Sequence, residues 1–578
     1  MKNDVHQLLE RHFDIAFSAP DGIKKLRELI LTLAMQGKLV AQDSNDPPAS
    51  ELLKEIEAEK KRLTQSHKGA KGNGGKVKKI PPIKPEDVPY ELPTGWMWVR
   101  LNAITLKITD GDHKTPPRIA TGYRLLSAKN VRDGHIDFDN CDFISQQHYQ
   151  KSRERCLPET GDLLIVSVGG TIGRTSLVPE DSDFALVRSV ALIKPLLIDS
   201  SYLKYAMDSD LLQSSIHKRK RGGAQPCLYL SEIQQFLFAL APLPEQRRIV
   251  ALIDQLMARC DGLERLRTEQ EQLRLSVHTA AIQQLLDAEV QDGYTRAWQF
   301  LTQHFEDLYT VKENVTELRK AILQLAVMGK LVPQDPNDPP ASELLKEIKA
   351  EKQRMVKEGK IKMPKPLPEV KPEEMPYELP RGWEWVQFEA VVDIGSGVTK
   401  GRKLAKKKVV SIPYLRVANV QRGFLDLEEI KEIEIPVNEV DKYRLKFGDL
   451  LITEGGDWDK VGRTCIWWEE ISLCVHQNHI FRARKILSEQ NEVWLEKYLN
   501  SPIARIYFAG ASKQTTNLAS INKTQLRGCP VPIPPISEQH RIIAKINHLM
   551  SLCDALEQQI ESATGKQSEL LNSVMAQL

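Results

Sequence analysis

The chain has 578 residues, 27% of them charged, and a net charge of +3. That length accommodates three to five domains, and so small a net charge excludes a globally basic nucleic-acid binder, leaving any attraction for phosphate to local clusters. None of the eight cysteines forms a Cys-x-x-Cys pair, which argues against a zinc ribbon or a redox motif.

In chain order, Asp4, His6 and Glu10 interrupt any apolar leader, and no window reaches the ~20 apolar residues of a membrane span. The expectation is a cytoplasmic, reduced protein with no membrane partner. A first helix is predicted over 22–36, where Ile23, Leu26, Ile30, Leu33 and Ala34 recur at helical spacing, and Gly37 ends it. A second, charged helix follows Pro47-Pro48, with Ser50 as its expected N-cap.

Residues 37–60, GKLVAQDSNDPPASELLKEIEAEK, return at 329–352 as GKLVPQDPNDPPASELLKEIKAEK, with only three of 24 positions changed. The repeat is larger than this core. Pro89-Tyr90-Glu91-Leu92-Pro93 returns as Pro376-Tyr377-Glu378-Leu379-Pro380, each followed by Gly-Trp-x-Trp-Val. Gly161-Asp162-Leu163-Leu164-Ile165 returns as Gly448-Asp449-Leu450-Leu451-Ile452, and Glu245-Gln246 as Glu538-Gln539. The chain is therefore two versions of one unit, roughly 6–290 and 298–578.

The boundaries read from this are a helical region 1–65, a basic linker 66–88, a globule 89–243, a central helical spacer 244–357, a linker 358–375, a second globule 376–536 and a final helix 537–578. Each globule has short β-branched and aromatic runs separated by turns such as Asp133-Gly134 and Arg422-Gly423, which predicts a mixed α/β domain with helices near 200–216 and 491–510. The Trp96/Trp98 and Trp383/Trp385 pairs lie on one strand face and read as core.

Each globule ends in prolines and a long helix. In the second copy Ile542, Ile546, Leu549, Cys553, Leu556 and Ile560 step as a coiled-coil seam, continued by Ala563, Leu570 and Val574. In the first, Ile249, Ile253, Leu256, Cys260 and Leu263 do the same, and the phase then slips to Leu266, Leu273, Val277 and Ala280. Cys260 and Cys553 thus read as small core residues. About 45 residues of helix span roughly 65–70 Å, longer than a compact domain needs. The helix 245–288 is expected to pack antiparallel on 311–357 through a short connection. By analogy the two chain ends pair with each other, giving an approximate two-fold, cyclic arrangement. The fold class is α+β: a tandem duplication of two mixed α/β domains separated by long antiparallel coiled-coil helices.

Scaffold and flanks repeat while the globules diverge. Thr109-Asp110-Gly111-Asp112-His113-Lys114 stands where Ser396-Gly397-Val398-Thr399-Lys400-Gly401 stands in the second copy. Two readers of different targets would have this pattern. With the Gly-Asp-Leu-Leu strands, Gly170-Thr171-Ile172-Gly173-Arg174 (and Asp459-Lys460-Val461-Gly462-Arg463), Pro-Leu-Pro-Glu-Gln-Arg-Arg-Ile at 242–249 and Pro-Pro-Ile-Ser-Glu-Gln-His-Arg-Ile at 534–542, the chain resembles the DNA-specificity subunit of a type I restriction–modification system. The resemblance covers nearly the whole chain.

It implies that two target-recognition domains each read half of a split, asymmetric site in double-stranded DNA. It also implies that the helices hold two methyltransferase subunits and that two restriction subunits can join. S-adenosylmethionine, ATP and magnesium would sit on those partners, and adenine N6 would be the methylated atom. This chain would hold no cofactor and no catalytic residue.

Base readout favours Arg or Lys on guanine and Asn or Gln on adenine. Candidates in the first globule are His113, Lys114, Lys129, Asn130, Arg132, Arg174, Lys218, Arg219, Lys220, Arg221 and Gln225. In the second they are Lys400, Arg402, Lys403, Arg416, Asn419, Arg422, Lys460, Arg463, Lys513, Gln514 and Asn517. Surface lysines are ordinarily just solvated. The clusters 217–221 and 400–408 (six of nine residues basic in the latter) read as phosphate contacts. The Asn shared by Lys129-Asn130-Val131 and Ala418-Asn419-Val420 reads equally as a turn residue or a base reader. The recurrence of Gly173-Arg174 as Gly462-Arg463 favours a shared fold or phosphate role over sequence-specific readout.

Asn45-Asp46-Pro47-Pro48 and its copy resemble the catalytic motif of amino-methyltransferases, but Ala49 and Ala341 replace the stacking aromatic. No glycine-rich cofactor loop accompanies either copy. The motif reads as a turn before a helix. A self-sufficient methyltransferase or nuclease is thereby disfavoured. A coiled-coil scaffold that binds only proteins remains the alternative.

Overall fold

The computed structural model describes residues 19–66, 81–222, 226–288, 291–368, 375–402, 404, 408–456, 460–515 and 518–577. Most of the lysine-rich linker, 67–80, lies outside them. The chain divides into two compact units, Met1–Glu269 with Thr564–Leu578, and Gln270–Ala563.

In the first unit, helix Gly22–Met35 buries Leu29, Ile30, Leu31, Ala34 and Met35, an apolar stripe at helical spacing. Gly37 then turns the chain at φ +66°, and a Cβ there would lie 2.4 Å from Pro93 Cγ. Only glycine suits both the left-handed backbone and that approach. The second helix is Ala49–Ser66. Ser50 is not its cap, contrary to expectation. Ala49 is already helical, and its amide donates to the Gly95 carbonyl at 2.8 Å. The globule, not a side chain, satisfies that end.

The strand Met97–Arg100 pairs antiparallel with Leu237–Leu240. This brings the start of the globule beside its end and delivers the chain to helix Leu243–Asp287. Between them lies a four-stranded sheet in the order Thr105–Asp110, Val190–Pro195, Leu163–Val166, Thr175–Leu177. Leu163–Val166 is buried throughout, as a short unbroken apolar run predicts. A second sheet orders Asp142–Ile144, Tyr123–Leu126 and Ala185–Leu186, the last two parallel. The helix expected near 200–216 is two helices, Ser200–Asp208 and Asp210–Arg219, broken at Ser209.

The second unit repeats the plan. Glu384–Gln387 pairs with Pro530–Ile533. One sheet orders Val392–Ser396, Ile480–Lys485, Asp449–Thr453, Thr464–Trp467, and the other Lys431–Pro436, Val409–Leu415, Val475–His476. A ribbon of Gly455–Gly456, Leu518–Ser520 and Lys513–Thr515 is added. The helical pair is Glu492–Asn500 and Pro502–Ala511. Ala341 opens its helix as Ala49 does, donating to Gly382 O at 2.9 Å.

The near-identical stretch clasps the long helix of its own unit. Trp96 Nε1 and Gln42 Nε2 donate to the buried Glu245 carboxylate at 2.9 and 2.7 Å, and Arg248 pairs with Asp46 at 2.6 Å. In the second unit Trp383 and Gln334 donate to Glu538 at 2.9 and 2.6 Å, and Arg541 pairs with Asp338 at 2.6 Å. Burial holds both glutamates above the ordinary carboxylate range, although the Trp and Gln donors pull them down. Asp46 and Asp338 thus serve a structural clasp at the Asn-Asp-Pro-Pro turn.

The seam of the long helices departs from the heptad reading. Ile249, Ile253 and Cys260 are buried, but Leu263, Leu266, Leu273 and Val277 are 48, 52, 65 and 42% exposed and Ala280 is exposed. His278, Ala281, Ile282, Leu285 and Leu286 are buried instead. In the last helix Ile542, Ile546 and Cys553 are buried, Ala563 is exposed, and Leu571 rather than Leu570 is fully buried. A straight helix drifts off a heptad repeat, so the inward stripe follows 3.6 rather than 3.5 residues per turn. Leu571 packs with Ala19 and Leu29 in the first unit, so the end of the last helix does meet the first helix. The segment expected to be a plain connection between 288 and 311 holds helices Gln291–Gln303 and Phe305–Leu308. Ala297 and Leu301 are buried there.

Candidate nucleic-acid interface

Three loop groups recur at equivalent places in the two globules. The first follows the middle strand of the smaller sheet. Asn130 is fully buried; its Oδ1 accepts from Ser127 N at 3.0 Å and its Nδ2 donates to Asp137 O and Asn140 O, both at 3.0 Å. Asn419 repeats this with Arg416 N at 2.8 Å, Asp426 O at 2.8 Å and Glu429 O at 3.1 Å. These amides tie a loop to itself and are not presented to a base. Of the two readings the sequence left open, these hydrogen bonds favour the turn residue for both asparagines.

The clasp presents a tight turn. Arg132 N donates to His135 O at 3.0 Å, and Gln421 N to Phe424 O at 3.1 Å. Gly134 and Gly423 sit at φ +83° and +82°. Asp133, Gly134, His135, Gly423 and Phe424 are exposed.

The second group follows the central strand. Gly173 and Gly462 both adopt positive φ, and a Cβ on Gly462 would lie 2.4 Å from Phe508. The glycine is thus a packing requirement, and the arginine after it points to the turn. Arg174 Nε lies 3.5 Å from Asp133, and Arg463 donates to Gln421 Oε1 at 2.6 Å. Gly134 N and Gly423 N bond the carbonyls of Thr175 and Thr464, next in chain after those arginines. Arg132 lies 3.5 Å from Asp137, whose carboxyl the Asn140 and Asp139 amides and Arg132 hold below its usual range. Arg422 and Lys460 are half-buried in the same group.

The third group follows the helical pair. Arg219 and Arg221 share Glu232 at 3.4 and 2.7 Å, while Lys218 and Lys220 are exposed. Cys227 bridges both Arg221 and Val168, which sets this basic run beside the Gly169-Gly170 loop. In the second globule Lys513–Thr515 reaches Gly455–Gly456 through Leu518–Ser520. Gln225 and Asn517 lie outside the described residues, as do the side chains of Lys513 and Gln514.

The remaining candidates follow the outer strand. His113 Nε2 sits 3.1 Å from Asp110 and 2.8 Å from an Arg155 nitrogen, and Lys114 is exposed. Asp142 lies 3.0 Å from Arg118 and 3.4 Å from Lys129, linking this segment to the first loop group. In the second globule Lys400 is exposed, but Arg402 is paired with Glu439 at 2.7 Å beneath the Tyr443 ring. Arg416 is bound to the Glu429 carbonyl and carboxylate at 2.9 and 3.1 Å. These two arginines are committed to the fold, which argues against their reading as phosphate or base contacts. Lys403 lies outside the described residues, with Lys406 and Lys407 of the same cluster.

Sequence reasoning missed Arg118, whose partner Asp142 is 24 positions away, and the turn tips His135 and Phe424. An aromatic placed directly after a turn glycine in a polar loop was the available signal for the tips. Among the described residues no group of three or more His, Cys, Asp or Glu could hold a metal ion, and no helix is long and apolar enough to cross a membrane.

Two related α+β globules, each carrying the same loop groups with different side chains on a repeated helical frame, define a duplicated recognition protein. The sequence matches the type I restriction modification DNA specificity domain over residues 118–273 and 380–563, more than half of the chain, and the protein belongs to that family. It is 32% identical to the type I restriction enzyme EcoAI specificity subunit of Escherichia coli, over 96% of this chain and 93% of that one. It is 30% identical to the EcoEI specificity subunit of the same species, with the same coverage. The crystal structure of the HsdS subunit from Thermoanaerobacter tengcongensis is 19% identical over 84% of this chain and 98% of that one, with a TM-score of 0.41.

Proposed function

We propose that this chain reads a bipartite, asymmetric site in double-stranded DNA. One half falls to the globule 89–243 and the other to 376–536. In this reading the chain scaffolds two methyltransferase and two restriction subunits of a cytoplasmic type I complex. It performs no chemistry itself; its partners methylate adenine N6 with S-adenosylmethionine and cleave with ATP and magnesium. One observation carries the reading. The same three loop groups are built twice, by the same backbone devices, with different side chains at their exposed positions. A protein-only scaffold has no use for two divergent surfaces on an invariant frame.

Exposed Lys114, Lys218, Lys220 and Lys400 supply sequence-independent attraction to phosphate, Arg132, Arg174, Arg422 and Arg463 surround the turns, and Lys460 lies beside Gly456. Leu263 and Leu266, 48 and 52% exposed on the long helix, leave an apolar surface for a partner subunit. Footprinting of the assembled methyltransferase complex tests the proposal. Protection of two separated short sequences is expected. Uniform protection, or none, would favour the protein-only scaffold.

A further inference from the structure

The first loop group ends in a side chain that neither the shared fold nor the ion pairs use. In the second globule this is Phe424, 61% exposed. A single exposed phenylalanine is unremarkable on most surfaces, but the backbone turn that carries this one is pinned from both sides. Val420 and Leu425 bridge across the turn, Gly423 N is bonded to Thr464 O at 3.0 Å, and Asn419 Nδ2 fixes the loop below. The first globule builds the same turn, with Val131 bridging Ile136 and Gly134 N on Thr175 O, and places exposed His135 at the tip. The platform is kept and the tip is exchanged, from an imidazole that can donate or accept to a ring that can do neither. Arg463 on Gln421 stands beside the Phe424 turn, so the tip is presented among groups that attract phosphate.

We propose that residue 424, like its counterpart 135, enters the major groove as a specificity-determining contact, and that Phe424 selects a thymine by packing on its 5-methyl group. The major groove displays that methyl on thymine alone among the four bases, and an apolar side chain is the group that reads it. His135 at the same place would instead hydrogen-bond a base edge, so the half-sites differ at the base that the tip meets. This rests on the DNA-reading function proposed above.

The test uses the full chain in its methyltransferase complex and duplexes carrying its mapped site. Each thymine of the half-site read by the second globule is replaced in turn by uracil, which lacks only the methyl. One replacement is expected to weaken wild-type binding about three- to tenfold, the worth of one buried methyl. Phe424→Ala should lose about the same affinity for the thymine duplex and be indifferent to that uracil, and Phe424→Leu should restore the sensitivity. The half-site of the first globule should be unaffected. If no uracil matters to the wild type, or F424A keeps the wild-type uracil profile, the contact is refuted while DNA reading stands. If the wild-type complex does not distinguish its site from a scrambled duplex, the reading beneath it fails as well. The exposure of Phe424 leaves the fold of the variants intact, which their unfolding midpoints check.

Discussion

The Trp96 indole donates to the Glu245 carboxylate at 2.9 Å, joining the residue before the first strand of a globule to the first turn of the helix that leaves it, 149 positions later. Trp383 and Glu538 repeat the contact at 2.9 Å across 155 positions. Glu245 and Glu538 are each 1% exposed, so each carboxylate depends on its Trp and Gln donors. Removing one donor leaves a buried acceptor under-satisfied, which costs about 1–3 kcal/mol. Trp96→Phe should lower the stability of the first unit by that amount and Trp383→Phe that of the second. Urea unfolding followed by hydrogen exchange of the two units measures both, and an unchanged midpoint for either would remove the clasp from the frame's energetics.

The clasp also shows what could be read before the fold was known. Duplication and the burial of Trp96 and Trp383 were legible because each depends on local pattern. Ser50 misled because the first amide of its helix is satisfied by Gly95, from another part of the chain. Leu266, Leu273 and Val277 misled because apolar residues at heptad spacing need not be the ones a partner covers. Arg402 and Arg416 looked available for DNA, but their acidic partners Glu439 and Glu429 lie 37 and 13 positions on, beyond local pattern. Pairings that close only through tertiary structure decide which cations remain to meet a ligand.

Acid should weaken the second unit. His476 is buried, its Nδ1 lies 2.9 Å from Ile480 O, and burial pushes its pKa down to about 4 from 6.5. The unfolded chain therefore takes the proton first. Stability from this site is complete above pH about 6.5 and is lost as pH falls toward about 4, a change of roughly 3 kcal/mol. His278, also buried and shifted down, acts in the same direction. The first globule places Leu186 at the strand position of His476. His476→Leu should therefore flatten the dependence of the second unit's stability between pH 6.5 and 4. A slope as steep as the wild type's would assign the acid sensitivity elsewhere.

The exposed lysines should act through phosphate. Lys218 and Lys220 alternate with Arg219 and Arg221, which share Glu232, and both ammonium groups are exposed without a carboxylate partner in that cluster. Each phosphate contact contributes about 0.9 to the slope of log affinity against log salt. Lys218→Ala with Lys220→Ala should reduce that slope by about two and weaken binding evenly across sequences. A change in the recognised sequence instead would make them base readers.

Exchange of the globules tests whether the duplication has the purpose proposed for it. The strands Met97–Arg100 and Leu237–Leu240 pair with each other, so the ends of the first globule lie side by side. Its links to the frame include clasps at those ends, through Trp96 to Glu245 and Tyr90 to Met35 O, and the packing of helix Ser200–Asp208, whose Tyr205 hydroxyl meets Asp254. The same contacts in the second copy, Trp383 to Glu538 and Tyr377 to Val327 O, show that the frame accepts a globule of different surface without altering the joint. Replacing 89–243 by the corresponding segment of another family member that keeps the Trp and Tyr of the joint should preserve folding and assembly. It should change only one half of the methylated sequence, as mapping of methylated adenines would report. If both halves changed, the globules would not be independent readers. If neither changed, sequence would be read outside them.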